Sequence, residues 1–389
     1  MKVGIDLLSY YTPGYFLDLK TIASLYKKDV SSFYDVLGQE QMAVPSPDED
    51  SITQGANAAI RITSQIDKSK IKTLYFATES GIDQSKAGGM YLHKLLGLPE
   101  NCRVVELKQA CYSGTFALQS AINQIKNNPS EYSLIIASDI ARYGFGSPGE
   151  PTQGAGAVAM LISSNPRIMS ISEYSGYYAE DAMDFWRPNY KDEAFVDGQY
   201  SVRLYFKTLF KAWDYYKELS KEQLNSISYF CFHLPFTTIA EKAYSKLLKH
   251  ENLVSTDLDV GKKVNPSVLY NRRTGNCYTA SLYQSLASLL DSVDDNLKRQ
   301  KVGLFSYGSG AMAEFFTGLI ENNYKDYIFT KEHRDMFKSR KELSYDEYKG
   351  FYSFRLPQDG QDFNCPRYNR GHFRLSGISK HKRLYECVD

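Results

Sequence analysis

Short apolar runs alternate with amphipathic stretches through the first part of the chain. The runs are rich in Val, Ile, Leu, Phe and Tyr, and they predict buried strands over residues 3–5, 71–78, 103–107, 132–138 and 155–162. The stretches between them predict helices over residues 52–65, 87–96 and 111–126. In the last of these, Leu118, Ile122 and Ile125 recur at helical spacing. Such alternation predicts a parallel or mixed sheet with helices on its faces.

A second series of the same kind follows. It predicts strands over residues 168–174, 228–232, 302–307 and 314–320, and helices over residues 199–219, 237–248 and 279–290. Together the two series predict an α/β protein with two βαβ-rich halves of similar plan, 1–165 and 166–389, joined near Asn165. The segment 322–389 is polar, and we expect it to pack on the surface or close over a site.

Composition and charge exclude several classes of protein. The chain has 389 residues and a net charge of +1, so no overall field attracts nucleic acid or an anionic membrane. Its six cysteines lack CxxC or CxH spacing, which argues against a zinc site or a disulfide framework. Asp6 lies where a signal peptide would have its apolar stretch. No uncharged apolar run is long enough to span a membrane. We therefore expect a soluble, cytoplasmic protein.

Cys111 lies between the predicted strand 103–107 and the predicted helix that follows. Unpaired backbone N–H groups and the positive end of the helix dipole favour a thiolate at such a position, and the thiolate is the nucleophilic form. Ala110, Ser113 and Gly114 are small and leave room for a substrate. A buried structural cysteine fits the same local pattern, so position alone leaves both interpretations open.

Two further candidates follow apolar strands. Glu79 ends the run 74–79, and in open α/β sheets this end of a strand faces the ligand crevice, where desolvation raises the pKa of a carboxylate. His233 follows the strand 228–232, whereas three other histidines lie in polar stretches and are expected at the surface, namely His333, His372 and His381. The structural alternatives are a Glu bonded to the next turn and a satisfied core histidine.

Three loop motifs also offer polar contacts. Asn276 precedes a helix, where its amide could orient an imidazole, hold a carbonyl oxygen or cap the helix. The run 305–310, Phe-Ser-Tyr-Gly-Ser-Gly, ends a strand and would let backbone N–H groups approach an oxyanion, although a tight turn has the same pattern. The loop 149–156 could be a turn or could hold substrate, and it lacks the context of a nucleotide phosphate loop.

Taken in chain order, these motifs resemble the 3-hydroxy-3-methylglutaryl-CoA (HMG-CoA) synthases of the bacterial mevalonate type, within the thiolase superfamily. The resemblance covers nearly the whole chain and rests on Gly38-Gln-Glu-Gln-Met42, Ala77-Thr-Glu-Ser80, Gln109-Ala-Cys-Tyr112, Ala137-Ser-Asp-Ile-Ala-Arg-Tyr143, Glu150-Pro-Thr-Gln-Gly-Ala-Gly-Ala-Val-Ala159, Asp184-Phe-Trp-Arg-Pro188, Phe232-His-Leu-Pro-Phe236, Gly275-Asn276 and the run 305–310. It implies a thiolase-like fold with a layered α-β-α-β-α core. It also implies a homodimer.

The resemblance implies a three-step reaction. Cys111 attacks acetyl-CoA to form an acetyl-enzyme, and the N–H groups of Cys111 and of the Ser309 turn stabilise the oxyanion. Glu79 then removes a proton from the acetyl methyl group, and the enolate attacks acetoacetyl-CoA. His233, helped by Asn276, holds acetoacetyl-CoA and protonates the alkoxide. Water finally releases HMG-CoA, and the resemblance implies no metal or redox cofactor.

Further contacts are implied at family positions. Those expected to bind CoA or substrate are Asp29, Thr152, Ser201, Lys242 and Ser309, and those expected to wall the acyl pocket are Tyr143 and Phe185. Lys242 would meet a CoA phosphate, although a solvated Lys on a helix face is the alternative. The family often has a second Lys five residues after the histidine. Here that position is Thr238, so Lys207 or Lys246 would have to supply the contact.

Other functions fit parts of the pattern. The acyl-carrier-protein-dependent HMG synthases of polyketide β-branching would keep Cys111, Glu79 and His233, and Thr238 leaves that branch open. A ketoacyl synthase III-like enzyme needs no base at Glu79, so the Ala-Thr-Glu-Ser motif argues against it. A Cys-His-Asn hydrolase would tolerate the loss of Glu79. A non-catalytic acyl-CoA-binding scaffold would not need the set of Cys, Glu and His.

Overall fold

A computed structural model of the chain describes residues 1–254, 256–293, 296–368 and 370–388. The strands are β1 Gly4–Tyr11, β2 Tyr15–Asp18, β3 Gln41–Ala43, β4 Ile71–Ala77, β5 Arg103–Leu107, β6 Tyr132–Ile140, β7 Ala155–Ser163, β8 Met169–Ala179, β9 Phe185–Trp186, β10 Phe195–Val196, β11 Tyr229–Phe232, β12 Lys301–Gly308, β13 Met312–Ile320, β14 Lys341–Glu342, β15 Phe363–Asn364, β16 Phe373–Ser379 and β17 Lys382–Cys387. The α-helices are α1 Leu19–Leu25, α2 Ser51–Thr63, α3 Gly89–Leu95, α4 Ser113–Asn127, α5 Gly198–Ser220, α6 Ile239–His250, α7 Asp257–Thr274, α8 Ser281–Ser292, α9 Thr330–Lys338 and α10 Tyr345–Ser353.

The largest sheet is mixed and has nine strands, in the order β11-β12-β13-β8-β1-β7-β6-β4-β5. One side of it comes from the first half of the chain and the other side from the second half. The two groups of strands meet where β1 pairs with β8 through Gly4–Ser170 and Ile5–Met169. This is the two-halved α/β plan that the hydrophobic pattern predicts. The join predicted near Asn165 lies in the connection between β7 and β8.

Helices cover the strands on both sides and also fill the space between the two groups. α2 and α3 pack on the first-half strands, where Ile52 and Leu92 share a buried cluster with Phe76. α4 and α8 lie between the two groups and join strands of both halves in one core. α5 and α6 cover the second-half strands, with Trp213 and Leu247 buried. The resulting order of layers is the α-β-α-β-α core that the resemblance implies.

Among the described residues, no helix has both the length and the apolar character that crossing a membrane requires.

The hydrophobic pattern fails for elements that bury polar residues. It predicts strand only over residues 3–5, but β1 continues to Tyr11 with Asp6 and Ser9 buried inside it. Asp6 is tolerated there because it forms an ion pair with Arg167 at 2.7 Å. The pattern also misses α7, because this helix is polar and has Pro266 inside it.

The C-terminal segment is more regular than its polar sequence indicates. It contains α9, α10 and the three-stranded sheet β15-β16-β17, which packs on α2. Positions 369 and 389 of the predicted segment 322–389 lie outside the described residues.

The prediction that His333 lies at the surface is wrong. His333 is buried on α9, where its Nε2 accepts a hydrogen bond from the N–H of Tyr10 at 2.9 Å and its Nδ1 bonds to Asp291 at 2.7 Å. Both partners are remote in sequence, so the polar stretch around His333 conceals them. His372 and His381 are exposed, as predicted.

Loops after strands bring the candidate residues together. Glu79 comes after β4, His233 directly follows β11, and Ser309 lies in the turn between β12 and β13. β4 is parallel to its neighbours β5 and β6, and β11 is parallel to β12. Within each group, the carboxyl ends of these strands therefore lie at the same edge. Gly308 lets the loop that carries Cys111 pack closely on β12, because a Cβ there would lie 2.7 Å from the Gln109 carbonyl oxygen.

Candidate active site

A buried carboxylate fixes the backbone of Glu79. Asp139 Oδ1 accepts hydrogen bonds from the Glu79 N–H at 2.7 Å, from the Thr78 hydroxyl at 3.0 Å and from the Ser80 hydroxyl at 2.8 Å. Its Oδ2 accepts from the N–H and the hydroxyl of Thr279, at 3.1 and 2.5 Å. Asp139 therefore ties the loop after β4 to the segment that precedes α8.

Glu79 and Cys111 form a bonded pair. The Cys111 thiol donates a hydrogen bond to Glu79 Oε1 at 2.9 Å. Burial, followed by the charge of Asp139, raises the pKa of Glu79 from 4.5 to about 8, while the Cys111 bond and the charge of Arg187 oppose the rise. This agrees with the raised pKa that the strand-end position predicts. A carboxyl group with such a pKa can accept and release a proton near neutral pH.

The charge state of Cys111 differs from the prediction. The thiol lies two residues before α4, yet burial and the Glu79 carboxyl raise its pKa well above the ordinary 9.0. The helix dipole contributes about 1 kcal/mol or less at a typical site, and here the enclosed carboxyl outweighs it. The resting cysteine is therefore a thiol bonded to a carboxyl group. It becomes nucleophilic only when it passes its proton on.

His233 is held by its backbone, and its ring is left open to a cavity. The backbone N–H of His233 donates a hydrogen bond to the Phe305 carbonyl at 2.8 Å, and the His233 carbonyl accepts one from the Tyr205 hydroxyl at 2.9 Å. Within the described part of the chain, the imidazole makes no hydrogen bond. A core histidine with a structural role would have partners for its ring nitrogens. Burial lowers the pKa of His233 from 6.5 to about 3, so the ring is neutral near neutral pH.

Asn276 lines the same cavity, but its partner is Tyr278 rather than His233. Its Oδ1 accepts from the N–H of Tyr278 at 2.9 Å, and its own N–H donates to the Thr152 carbonyl at 3.1 Å. Gly275 has a φ of 79°, and a Cβ there would collide with a neighbouring backbone carbonyl. The described residues therefore contain no Asn276–His233 hydrogen bond, and the amide oxygen orients Tyr278 instead.

Cys111, His233 and Asn276 line a cavity of about 200 Å³. Three aromatic rings, those of Tyr143, Phe185 and Tyr278, enclose part of it with centroids 5.7 to 6.4 Å apart. Cys111 packs against these rings. Tyr143 and Phe185 therefore lie where the resemblance expects an acyl pocket, and Tyr278 adds a third wall.

A second buried carboxylate holds the turn between β12 and β13. Asp184 accepts hydrogen bonds from the Gly310 N–H at 3.0 Å, the Tyr307 hydroxyl at 2.6 Å and the Ser201 hydroxyl at 2.9 Å. Ser309, in this turn, lines the cavity together with Cys111. Because Gly310 is already bonded, the backbone donors that remain at this end of the cavity are the N–H groups of Ser309 and Cys111. Neither has a hydrogen-bond partner among the described residues.

The remaining predicted contacts divide into two groups. Thr152, Ser201 and Ser309 line the cavity. Asp29 and Lys242 do not line it and are exposed. Asp29 accepts a hydrogen bond from the Ser31 N–H at 2.9 Å, which together with the hydroxyl of the same serine lowers its pKa.

The cations near position 238 differ in their pairing. Thr238 donates its hydroxyl to a backbone carbonyl, that of Val36, and accepts a hydrogen bond from Lys242 at 3.2 Å. Lys207 forms an ion pair with a carboxylate, Glu180. Lys242 and Lys246, both on α6, form no ion pair with the described residues. Lys242 lies 5.3 Å from the ring of Phe236, which lines the cavity.

The sequence pattern assigns no site role to Asp139, Asp184 or Tyr278. Asp139 lies near the end of β6, so the strand-end argument that identifies Glu79 would also have found it. Asp184 is fully buried in an irregular stretch, and only its burial distinguishes it. Tyr278 has a φ of 42°, and its buried hydroxyl has no hydrogen-bond partner among the described residues. No local pattern in the sequence shows either property.

Comparison with known proteins agrees with this site. The family model described as Hydroxymethylglutaryl-coenzyme A synthase N terminal matches residues 1–167, and its C terminal counterpart matches residues 169–260 and 253–355. The hydroxymethylglutaryl-CoA synthase of Enterococcus faecalis is 38% identical over 92% of this chain and 94% of that protein. The polyketide biosynthesis 3-hydroxy-3-methylglutaryl-ACP synthase PksG of Bacillus subtilis (strain 168) is 34% identical over 90% of this chain and 87% of that protein.

Among solved structures, a crystal structure of HMG-CoA synthase complexed with CoA superposes with a TM-score of 0.94 and 38% identity, covering 100% of both chains. The family models, the whole-chain identity and the shared thiolase-like fold agree with the resemblance that the motifs carry. The chain belongs to the hydroxymethylglutaryl-CoA synthase family.

Proposed function

We propose that this protein condenses acetyl-CoA with acetoacetyl-CoA to give HMG-CoA and CoA, in the mevalonate pathway of isoprenoid synthesis. The observation that carries the proposal is the 2.9 Å bond between Cys111 Sγ and Glu79 Oε1, beside a cavity that Cys111 shares with His233. The three groups match the three tasks of the reaction, which are carrying an acyl group, forming a carbanion and neutralising an alkoxide.

Cys111 carries the acetyl group in this proposal. As the sulfur attacks the thioester carbon, the bond to the CoA sulfur breaks, and the thiol proton leaves with CoA. The oxyanion that forms accepts hydrogen bonds from the free N–H groups of Cys111 and Ser309. Such donors are each worth about 10²–10³ in rate in acyl-transfer enzymes.

Glu79 generates the carbanion. Acetylation replaces the thiol proton that is hydrogen-bonded to the Glu79 carboxyl oxygen. The acetyl methyl group then lies beside that oxygen. Two side chains hold the backbone of Glu79. Asp139 accepts a hydrogen bond from the Glu79 N–H, and Arg187 donates one to the Glu79 carbonyl oxygen. The base is therefore fixed before the substrate arrives.

His233 binds the second substrate. Its neutral ring can donate one N–H to the ketone oxygen of acetoacetyl-CoA, and Asn276 can hold a carbonyl oxygen through its amide nitrogen. As the ketone becomes an alkoxide, the new negative charge raises the pKa of His233, so the ring takes up a proton from solvent and passes it to the alkoxide, while Glu79 releases the methyl proton to solvent. The acid role of His233 thus depends on bound substrate. The steps use no metal and no redox cofactor.

The same proposal includes a CoA site and an assembly. Lys242 and Lys246 on α6 are the cations that we assign to the CoA phosphates, and Asp29 is the surface residue that we assign to the nucleotide end.

We further infer a cytoplasmic homodimer. Its support is that β5 forms an open edge of the sheet, where Val105 is 40% exposed, and that Phe116 on α4 is 51% exposed.

A product analysis tests the proposed function. The purified protein is mixed with acetyl-CoA and acetoacetyl-CoA, and the thioesters are identified by mass spectrometry, with Cys111→Ala as the control. We expect HMG-CoA from the native chain and none from the variant. Free CoA and acetate without HMG-CoA would contradict the proposal and would indicate either a carrier-protein acceptor or a hydrolase.

A carrier-protein acceptor is the second candidate function. It is favoured by Thr238, which stands where a phosphate-binding Lys is common in the family, and by the 34% identity to the PksG protein. The same assay is therefore repeated with acetoacetyl groups on acyl carrier protein in place of acetoacetyl-CoA. Product formed only on the carrier protein would replace the CoA assignment with this one.

A further inference from the structure

Two cavities meet at Glu79. Cys111 and His233 line the first cavity, of about 200 Å³, whereas Glu79 lines a second cavity of about 570 Å³. Because Cys111 Sγ and Glu79 Oε1 are 2.9 Å apart, the pair forms the partition between the two spaces. Arg187 also lines the second cavity and donates a hydrogen bond to the Glu79 carbonyl from that side.

The walls of the two cavities differ in character. Large apolar side chains line the first one, among them Val196, Val202, Phe236 and Ile239. Charged side chains line the second one, among them Asp50, Lys108, Arg142, Asp192, Arg355 and Arg383. A polar cavity of this volume has room for on the order of ten water molecules or more. The second space is therefore suited to water and the first to an acyl chain.

The proposed reaction needs such a space because it consumes one water and releases one proton in each turnover. In the last step, the water oxygen bonds to the acyl carbon and the C–S bond breaks. One water proton passes through Glu79 to the Cys111 sulfur, and the other leaves with the carboxylic acid product and then enters solvent. During this step the thioester substrate fills the first cavity, whose apolar walls offer water few hydrogen-bond partners.

We propose that the second cavity delivers the hydrolytic water to the acylated Cys111 and takes up the proton that is released, with Glu79 as the general base at the partition. This inference rests on the proposed function and adds a route to it. Substrate enters from the side of His233, and water enters from the side of Arg187. The pKa of Glu79, about 8, suits a group that must both accept and release a proton near neutral pH.

The first test narrows the second cavity without touching the first. Ile140 and Asn189 line the second cavity and not the first, so Ile140→Trp and Asn189→Trp add bulk in the second one, and Ile140→Val is the matched control. We expect all three variants to acquire an acetyl group from acetyl-CoA at the native rate. With saturating desulfo-CoA in place of acetoacetyl-CoA, so that the first cavity is occupied, we expect both Trp variants to lose the acetyl group at least severalfold more slowly than the control. Native rates of loss in both Trp variants would overturn the proposal.

A second test uses the native protein. The acetyl-enzyme is treated with hydroxylamine, a small nucleophile, in the presence and absence of saturating desulfo-CoA, which occupies the CoA site without reacting. We expect capture of the acetyl group to continue when desulfo-CoA is bound. Suppression of capture in proportion to desulfo-CoA occupancy would overturn the proposal, because it would place the entry of the nucleophile in the first cavity.

Different results would overturn the proposed function and the water route. A native protein that forms no acetyl-enzyme would overturn the proposed function and the water route with it. Normal acetylation with unchanged hydrolysis in the Trp variants would overturn the water route alone.

Discussion

At the scale of single residues, the site depends on one thiol and one carboxyl that share a proton. Burial raises the pKa of both groups, and their 2.9 Å hydrogen bond raises the pKa of Cys111 while it lowers that of Glu79. A thiol with a raised pKa is a weak nucleophile in the resting state, which protects it from unspecific reaction. Reactivity therefore waits for a substrate that can accept the proton as CoA leaves.

The pKa of Glu79 gives a pH prediction. The base form is the carboxylate, and the carboxylate is lost as pH falls through about 8. We therefore expect the rate of condensation to rise with pH up to about this value and to level off above it. Stopped assays of HMG-CoA formation across this range would measure it. A profile that stays flat through pH 8 would show that another group removes the methyl proton.

Strand-end position makes Glu79, Cys111 and His233 candidates from the sequence alone, and the structure places Cys111 beside Glu79 and in one cavity with His233. Strand-end position was not enough to predict the charge state of Cys111. That state depends on a carboxyl group 32 positions earlier in the chain, whose distance only the fold determines. The same limit applies to Asn276, whose amide oxygen accepts a hydrogen bond from the N–H of Tyr278, a contact that the sequence pattern does not predict.

At the scale of elements, the turn between β12 and β13 is positioned from outside by Asp184. This carboxylate bonds to Gly310 within the turn, to Tyr307 before it and to Ser201 on α5. The turn presents Ser309 to the cavity, whereas Asp184 itself does not line the cavity. The sequence predicts the strand and its glycines, but it does not predict which carboxylate aligns them.

Replacing Asp184 tests this positioning. Asp184→Asn keeps the size of the side chain but cannot accept three hydrogen bonds equally well, so we expect acetylation to slow by about tenfold or more. Rapid-quench measurement of CoA release gives the rate. Tyr307→Phe is the matched control, because it removes one of the three bonds and leaves Gly310 bonded. Native acetylation in Asp184→Asn would show that the turn does not need this anchor.

At the scale of the whole molecule, the C-terminal sheet is an integral part of the fold. Arg374 on β16 forms a buried ion pair with Asp48 at 2.9 Å and a second pair with Glu386 at 2.6 Å. The pair with Asp48 joins the end of the chain to the loop before α2. The sequence indicates only a polar segment there, because Asp48 lies 326 positions before Arg374.

Breaking that ion pair gives a stability prediction. Arg374→Met removes the cation of a buried ion pair, which costs about 3–5 kcal/mol in comparable pairs. We expect a loss of that order in the free energy of unfolding, measured by urea denaturation. Arg374→Lys keeps the charge and should lose less. Equal stability of Arg374→Met and the native chain would mean that the sheet contributes little to the fold.

The most direct measurement of the central claim separates acylation from condensation. Native protein and Glu79→Gln are each incubated with acetyl-CoA, and the acetylated peptide is located by mass spectrometry before acetoacetyl-CoA is added. We predict that both carry the acetyl group on Cys111, because the substitution removes an anion that raises the thiol pKa, and that only the native protein then forms HMG-CoA. Acetylation at another residue, or condensation by Glu79→Gln at the native rate, would contradict the account.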